Sequence, residues 1–255
     1  MISKLSCISK NSKIGENLSI DAFSIIHENV EIGDNCWIGS NVTILPGARI
    51  GNNCKIFPGA VISGDPQDLK FKEGNTITVI GDNTIIREFV TINRGTMATQ
   101  KTFVDSNCFI MAYCHIAHDC KIGSNCVLAN AVNIAGHVTI ENDVTIGGMT
   151  AVKQFTNIGE HSMISGGSLV RKDIPPYIKV AKEPLKFLGI NIVGLKRKKF
   201  SEKDIKIIKT MYRKIFGNGK NISDSLNEFQ KKELNEKEKN IIDFINKSKQ
   251  GIIKN

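Results

Sequence analysis

The chain has five histidines, and three stand close together: His115 and His118 in His115-Ile116-Ala117-His118-Asp119-Cys120, and His137 in Ile134-Ala135-Gly136-His137. Imidazole titrates near neutrality, so a histidine can take a proton from a hydroxyl and return it later in the same reaction. Asp119, directly after His118, could orient that ring and stabilise its protonated form. The same three histidines could instead hold a zinc ion, or be exposed polar residues with no chemistry at all. His27 and His161 lie apart from the group and read as surface residues at corners.

Whatever positions these histidines repeats every six residues. Ile2, Ile8, Ile14, Ile20, Ile26, Ile32, Ile38, Ile44, Ile50, Ile56 and Ile62 follow one another at that spacing. The count resumes at Ile80, Ile86 and Ile92, and again from Val104 to Val170. Helical faces recur every three to four residues and strand faces every two, so neither accounts for the period. In each hexad Gly often follows the aliphatic residue, and a small or β-branched residue takes the fifth place. A unit this short cannot bury its own apolar face and is stable only when copies stack. Such a hexad builds one flat side of a parallel β-helix, three sides making a coil of eighteen residues. Position 118 then stacks on position 136, with His137 one residue aside, so the histidines should cluster at a corner.

The seven cysteines suggest a metal or disulfide framework until their spacing is compared with the repeat. Cys36, Cys54, Cys108, Cys114, Cys120 and Cys126 all occupy the fifth place, where Val, Ala and Thr stand elsewhere. They read as small buried apolar residues, with no metal and no cofactor expected.

The net charge of +9 is uneven: residues 1–170 carry 12 Lys and Arg against 15 Asp and Glu, and residues 171–255 carry 22 against 10. A basic C-terminal part suits an acidic partner, although a solvated lysine-rich face would look the same. No nucleic-acid motif is present, and no stretch has the apolar length of a signal peptide or membrane span, so a soluble, cytoplasmic protein is expected.

Two interruptions, near 63–79 and 95–103, are polar and rich in turn formers and should protrude as loops, where binding residues tend to lie. Ile174-Pro175-Pro176-Tyr177 marks the exit from the repeat. The expected organisation is a β-helix over 1–183 and a helical domain over 184–255. In the latter, Ser201-Glu202-Lys203-Asp204 reads as a capping box and Gly217 as a helix stop. Amphipathic stretches follow around Leu226 and Phe229 and around Ile241 to Ile245.

The hexads resemble those of the hexapeptide-repeat acyltransferases, and that resemblance implies a left-handed β-helix assembled as a homotrimer. Handedness comes from the resemblance alone, since parallel crossovers are generally right-handed. Ordered motifs make the likeness narrower: Gln67-Asp68-Leu69-Lys70, Ile92-Asn93-Arg94-Gly95-Thr96, His115 to Asp119, Ala135-Gly136-His137, Gly147 to Val152, Asp173 to Tyr177, and Gly189 to Arg197. Together they resemble the UDP-N-acetylglucosamine O-acyltransferases, which open lipid A synthesis with an acyl group taken from acyl carrier protein.

That resemblance implies His118 as general base on the glucosamine 3-hydroxyl, Asp119 as its orienting partner, and the Gly136 N–H as donor to the oxyanion. It also implies Asp68, Leu69, Lys70, His115, His137 and Gln154 around the sugar, and Asn191 and Arg197 on the uridine diphosphate, where a guanidinium fork suits phosphate. Met163 and Gly166 would bound a long 3-hydroxyacyl chain between subunits. Arg171, Lys172, Lys179, Lys182 and Lys186 would meet the acidic carrier. Two positions depart from the family pattern: Lys153 stands where a histidine is usual, and Val193 where some members carry a glutamate. A zinc hydro-lyase of the γ-carbonic-anhydrase kind and a non-catalytic scaffold are the competing readings.

Overall fold

The computed structural model describes residues 1–217, 221–227, 229 and 233–254. The hexads form short parallel strands, many of two residues, with the first residue outward and the aliphatic second residue inward. They wind into a left-handed parallel β-helix whose three sides are sheets of nine, eight and ten strands. In a plain coil each residue pairs with the one eighteen later, as Cys7 does with Ile25. Identical side chains therefore stack in columns: Ile20, Ile38, Ile56, Ile86 and Ile110 are each at most 1% exposed. The column is incomplete only where no coil covers it, since Ile2 and Ile14 at the open end stay exposed.

Edge one joins the nine- to the eight-stranded sheet, edge two the eight- to the ten-stranded, and edge three the ten- to the nine-stranded. Both interruptions leave the coil at edge one, the first between strands Val61–Gly64 and Ile77–Ile80, the second between Thr91–Asn93 and Lys101–Val104. Val61 pairs with Thr91, thirty residues on, and Thr91 with His115, twenty-four on. The excess over eighteen is a multiple of six both times, which is why the isoleucine count resumes in phase.

All seven cysteines are unpaired thiols, and the six at the fifth place are buried. Burial pushes the thiols of Cys114 and Cys120 up to about 11 and about 12, so they stay protonated. The Cys120 thiol donates to the Ala135 carbonyl of the next coil at 3.1 Å.

After Val170 the ten-stranded sheet gains Ile178–Ala181, and Lys186–Ile190 pairs antiparallel with it. The 183/184 division drawn from sequence character falls in the turn of this hairpin. Helices α1 (Ile192–Arg197), α2 (Glu202–Phe216), α3 (Ile222–Asn227) and α4 (Glu236–Lys247) follow. Ser201 caps α2, but its hydroxyl donates to the Asp204 carboxylate at 2.6 Å, so the expected reciprocal box is incomplete. The full box is Asn235 with Glu238 on α4. The chain end returns to the coil through a bridge between Asp173 and Ile252. Among the described residues no helix is long and apolar enough to cross a membrane.

Candidate active site

Edge one carries the histidine cluster. From the second coil on, one residue in each of its plain turns adopts a left-handed backbone: Asn29 and Gly47 in the early coils, Asp119, His137 and Phe155 in the later ones. At Asp119 (φ 60°) the Thr102 hydroxyl accepts the backbone N–H at 2.8 Å, and the carboxylate lies against the preceding side chain. Its Oδ2 is 2.7 Å from His118 Nδ1, with both side chains at most 4% exposed.

That carboxylate is heavily solvated by protein. Oδ1 accepts from the Thr96 N–H at 3.0 Å and the Thr99 hydroxyl, and Oδ2 from the Thr96 hydroxyl at 2.7 Å as well as His118. Burial alone would raise the Asp119 pKa, but hydrogen bonds from Thr99, His118 and Thr96 outweigh it and hold the group at about 2. A permanent anion beside Nδ1 keeps the proton on that nitrogen and leaves Nε2 with its lone pair. Thr96 and Thr99 went unassigned in the sequence because nothing in the hexad pattern shows which loop residues fold back onto the corner.

Gly136 lies against the His118 ring. A Cβ there would sit 2.7 Å from Cε1 and 2.8 Å from Nε2, so only glycine admits the ring in this pose. Among the described residues the Gly136 N–H meets no acceptor. The His137 ring packs edge-on to His118 at 5.2 Å and stacks on Phe155 at 4.7 Å, with Nε2 3.6 Å from Asp119 Oδ2. His115 Nδ1 is 2.8 Å from the Thr91 hydroxyl; burial, then the neighbouring His118, lowers its pKa and favours the neutral ring.

His118, Asp119 and His137 place ligand atoms within 4.8 Å of one another, as a metal site would. His115 is absent from that set, and both Asp119 oxygens already accept two hydrogen bonds each. The carboxylate's lone pairs are committed to protons, which favours a base over a zinc ligand.

The first loop carries Asp68, Leu69 and Lys70 outward from edge one, Asp68 accepting the Lys70 N–H at 2.9 Å and Leu69 fully exposed. Gln154 is exposed one coil further along, and its neighbour Lys153 reaches Gln250 at 3.4 Å. The remaining residues lie elsewhere. Asn191 caps α1 and donates to the His161 carbonyl at 2.9 Å on edge two, with exposed Arg197 at the end of the same helix. Met163 is on the outer face of the ten-stranded sheet in line with Thr145 and Lys179, and Gly166 is on edge three. Arg171, Lys172, Lys179, Lys182 and Lys186 are exposed, Arg171 being paired with Glu183 at 2.9 Å. His161, expected at the surface, instead packs on Tyr177 and Phe200 where α1 meets the coil.

Comparison with known proteins then decides the family. Residues 173–253 match the model for domain 2 of UDP-N-acetylglucosamine O-acyltransferase, and residues 29–64 and 101–136 the bacterial transferase hexapeptide model. A curated acyltransferase of that name from Nautilia profundicola is 43% identical over 194 residues, covering 76% of this chain and 75% of its own. The crystal structure of a UDP-N-acetylglucosamine acyltransferase from Bacteroides fragilis superposes with a TM-score of 0.97 at 46% identity, covering 99% of this chain and all of that one. One from Campylobacter jejuni gives 0.95 at 32% identity with both chains fully covered. The chain belongs to the UDP-N-acetylglucosamine O-acyltransferase family. The two stretches that match the general hexapeptide model flank 65–100. In this family member, that interval holds both edge-one loops, the second of which brings Thr96 and Thr99 onto Asp119.

Proposed function

We propose that this chain transfers an (R)-3-hydroxyacyl group from acyl carrier protein to the 3-hydroxyl of UDP-N-acetylglucosamine, the first step of lipid A synthesis. The observation that carries the reading is the buried His118–Asp119 pair, with Nδ1 2.7 Å from the carboxylate and Nε2 against Gly136. His118 Nε2 takes the proton of the sugar hydroxyl as its oxygen attacks the thioester carbonyl carbon. The Gly136 N–H donates to the oxygen that becomes negative in the tetrahedral intermediate. When the intermediate collapses, the C–S bond breaks and the leaving carrier thiolate receives the proton held on Nε2. Asp119 stays ionised throughout, stabilising the imidazolium as it forms.

The distribution of the other residues supports a site built between subunits of a homotrimer. Histidines and sugar loop are on edge one, Asn191 and Arg197 near edge two, and Met163 with Gly166 towards edge three, so no single chain gathers all of them. The exposed basic residues 171–186 suit an acidic carrier, and such a carrier implies the cytoplasm. His118→Ala should lower acyl transfer by about 10²–10⁴-fold while leaving the assembly folded. Turnover near wild type in that variant would remove His118 from the role.

A further inference from the structure

The second edge-one loop makes two sets of contacts that the reaction above does not account for. Its first residue, Arg94, has a side chain only 17% exposed, although its ion-pair partner Asp65 is 73% exposed. The guanidinium donates through Nε and Nη2 to Asp65 Oδ1, each at 2.9 Å, and through Nη1 to the Gly74 carbonyl at 2.8 Å; it also lies over the Phe71 ring at 5.4 Å. These partners come from the start, the end and the middle of the first loop, so one planar fork closes that loop at three points. The Arg94 N–H adds a bond to the Gly64 carbonyl at 2.8 Å, and Asn93 one to the Asp65 carbonyl at 2.9 Å. Asp68, Leu69 and Lys70 form the apex held outward by this closure.

Two residues later the same segment turns to the catalytic corner, where Thr96 and Thr99 supply three of the four hydrogen bonds on Asp119. Between the two sets, Gly95 passes so close to the following strand that a Cβ would lie 2.3 Å from the Lys101 nitrogen. The Gln100 N–H closes the turn on the Thr96 carbonyl at 2.7 Å. Six residues thus touch the sugar loop at one end and the partner of the base at the other, with little slack between.

We propose that residues 94–99 are a positioning strap: Arg94 sets where the sugar loop holds the acceptor, and Thr96 and Thr99 set the direction of the His118 ring through Asp119. This rests on the reading that His118 is the base and that the Asp68 loop holds the sugar. None of the three strap residues needs to touch substrate. Each half should therefore give its own kinetic signature, binding for Arg94 and turnover for the threonines.

The test is steady-state kinetics with UDP-N-acetylglucosamine and a 3-hydroxyacyl carrier protein, run beside limited trypsin cleavage after Lys70 and Lys72. Arg94→Gln should raise KM for the nucleotide sugar about tenfold with kcat near wild type, and should speed cleavage of the loop. Arg94→Lys should fall between, because one ammonium cannot reach Asp65 and Gly74 together. Thr99→Val should lower kcat about tenfold at unchanged KM, and Thr99→Ser, which keeps the hydroxyl, should restore it. The strap is overturned if Arg94→Gln leaves both KM and loop cleavage unchanged, or if Thr99→Val turns over like wild type, while the wild type is active and His118→Ala is not. Should the wild type fail to transfer, the proposed function falls instead, and the trypsin arm still decides whether Arg94 holds the loop.

Discussion

Edges one and two of the β-helix share the same turn and differ in what fills its left-handed position. On edge two the residue is Asn six times, at 17, 35, 53, 83, 107 and 125, with φ between 55 and 59°. Asparagine tolerates that backbone better than other side chains bearing a Cβ. The neighbouring turn position forms its own ladder along the axis, Asp34 N–H to Asn52 at 2.8 Å and Asn52 N–H to Asp82 at 2.7 Å. On edge one the same slot begins with Asn29 and Gly47 and ends with Asp119, His137 and Phe155. The scaffold does not need those three, and holding each in a left-handed turn costs roughly 1 kcal/mol. Edge two departs from Asn as well, at Asp143, His161 and Tyr177. There α1 docks, with Lys198 Nζ 2.5 Å from Asp143. Along both edges, loss of the low-cost residue marks a place where the coil does more than stack.

The contrast breaks most severely at Gly136. Its φ is ordinary, so alanine strains no backbone there; the new methyl meets the His118 ring at 2.7 Å. The ring must shift by a sizeable fraction of an ångström, and misplacement on that scale costs about a hundredfold in kcat. Gly136→Ala should therefore lose about two orders of magnitude in turnover while its melting temperature stays close to wild type. A wild-type kcat in this variant would mean that the ring's seat on glycine is irrelevant to the chemistry.

Acid should sharpen the same contrast through Asp119. Its folded pKa of about 2 lies below the ordinary 3.8, so the native state favours the ionised form. The resulting stability is complete above the ordinary value and is lost as pH falls from about 4 towards 2, up to about 2 kcal/mol in all. Urea unfolding across that range should show a steeper loss in the wild type than in Asp119→Asn, because Glu31 and Glu88, also held below their ordinary values by basic partners, lose stability in both proteins. Parallel pH curves for the two proteins would mean that the threonine hydrogen bonds do not depress the carboxyl.

How much of this was legible in sequence follows from the repeat. Stacking at eighteen residues was readable from isoleucines alone, and it correctly brought His118 over Gly136 and beside His137. It also reassigned the cysteines, because core volume in a hexad depends on position and not on residue chemistry. Contacts made by the two insertions were not readable, since Arg94, Thr96 and Thr99 reach partners 20 to 29 residues away by paths that no period describes. His161 was misplaced for a related reason: its corner is exposed in a bare coil and is covered here by Phe200 from the tail. Periodicity reports what the coil does to itself and is silent where something else lies on it.

His137→Asn asks whether edge one can be returned to edge-two chemistry. Asparagine suits the left-handed turn, so the fold should be kept or slightly stabilised, while the ring between His118 and Phe155 is lost. KM for the nucleotide sugar should rise about tenfold, equivalent to about 1.4 kcal/mol of binding. An unchanged KM would show that His137 only fills the corner.

The smallest expected effect is the reciprocal one on edge two. Asn53 has φ 57°, is exposed, and its own N–H is satisfied by the Asp34 carbonyl at 2.8 Å, which the backbone alone provides. Asn53→Ala therefore removes only the side chain's tolerance of the left-handed turn. It should destabilise the coil by about 1 kcal/mol in urea unfolding and leave kcat and KM unaltered. Set beside His137→Asn, the pair forms a double dissociation on one backbone geometry: stability without activity on edge two, activity without stability on edge one. If Asn53→Ala changed the kinetics as much as the stability, the two edges would not be energetically separate and the division of labour between them would fail.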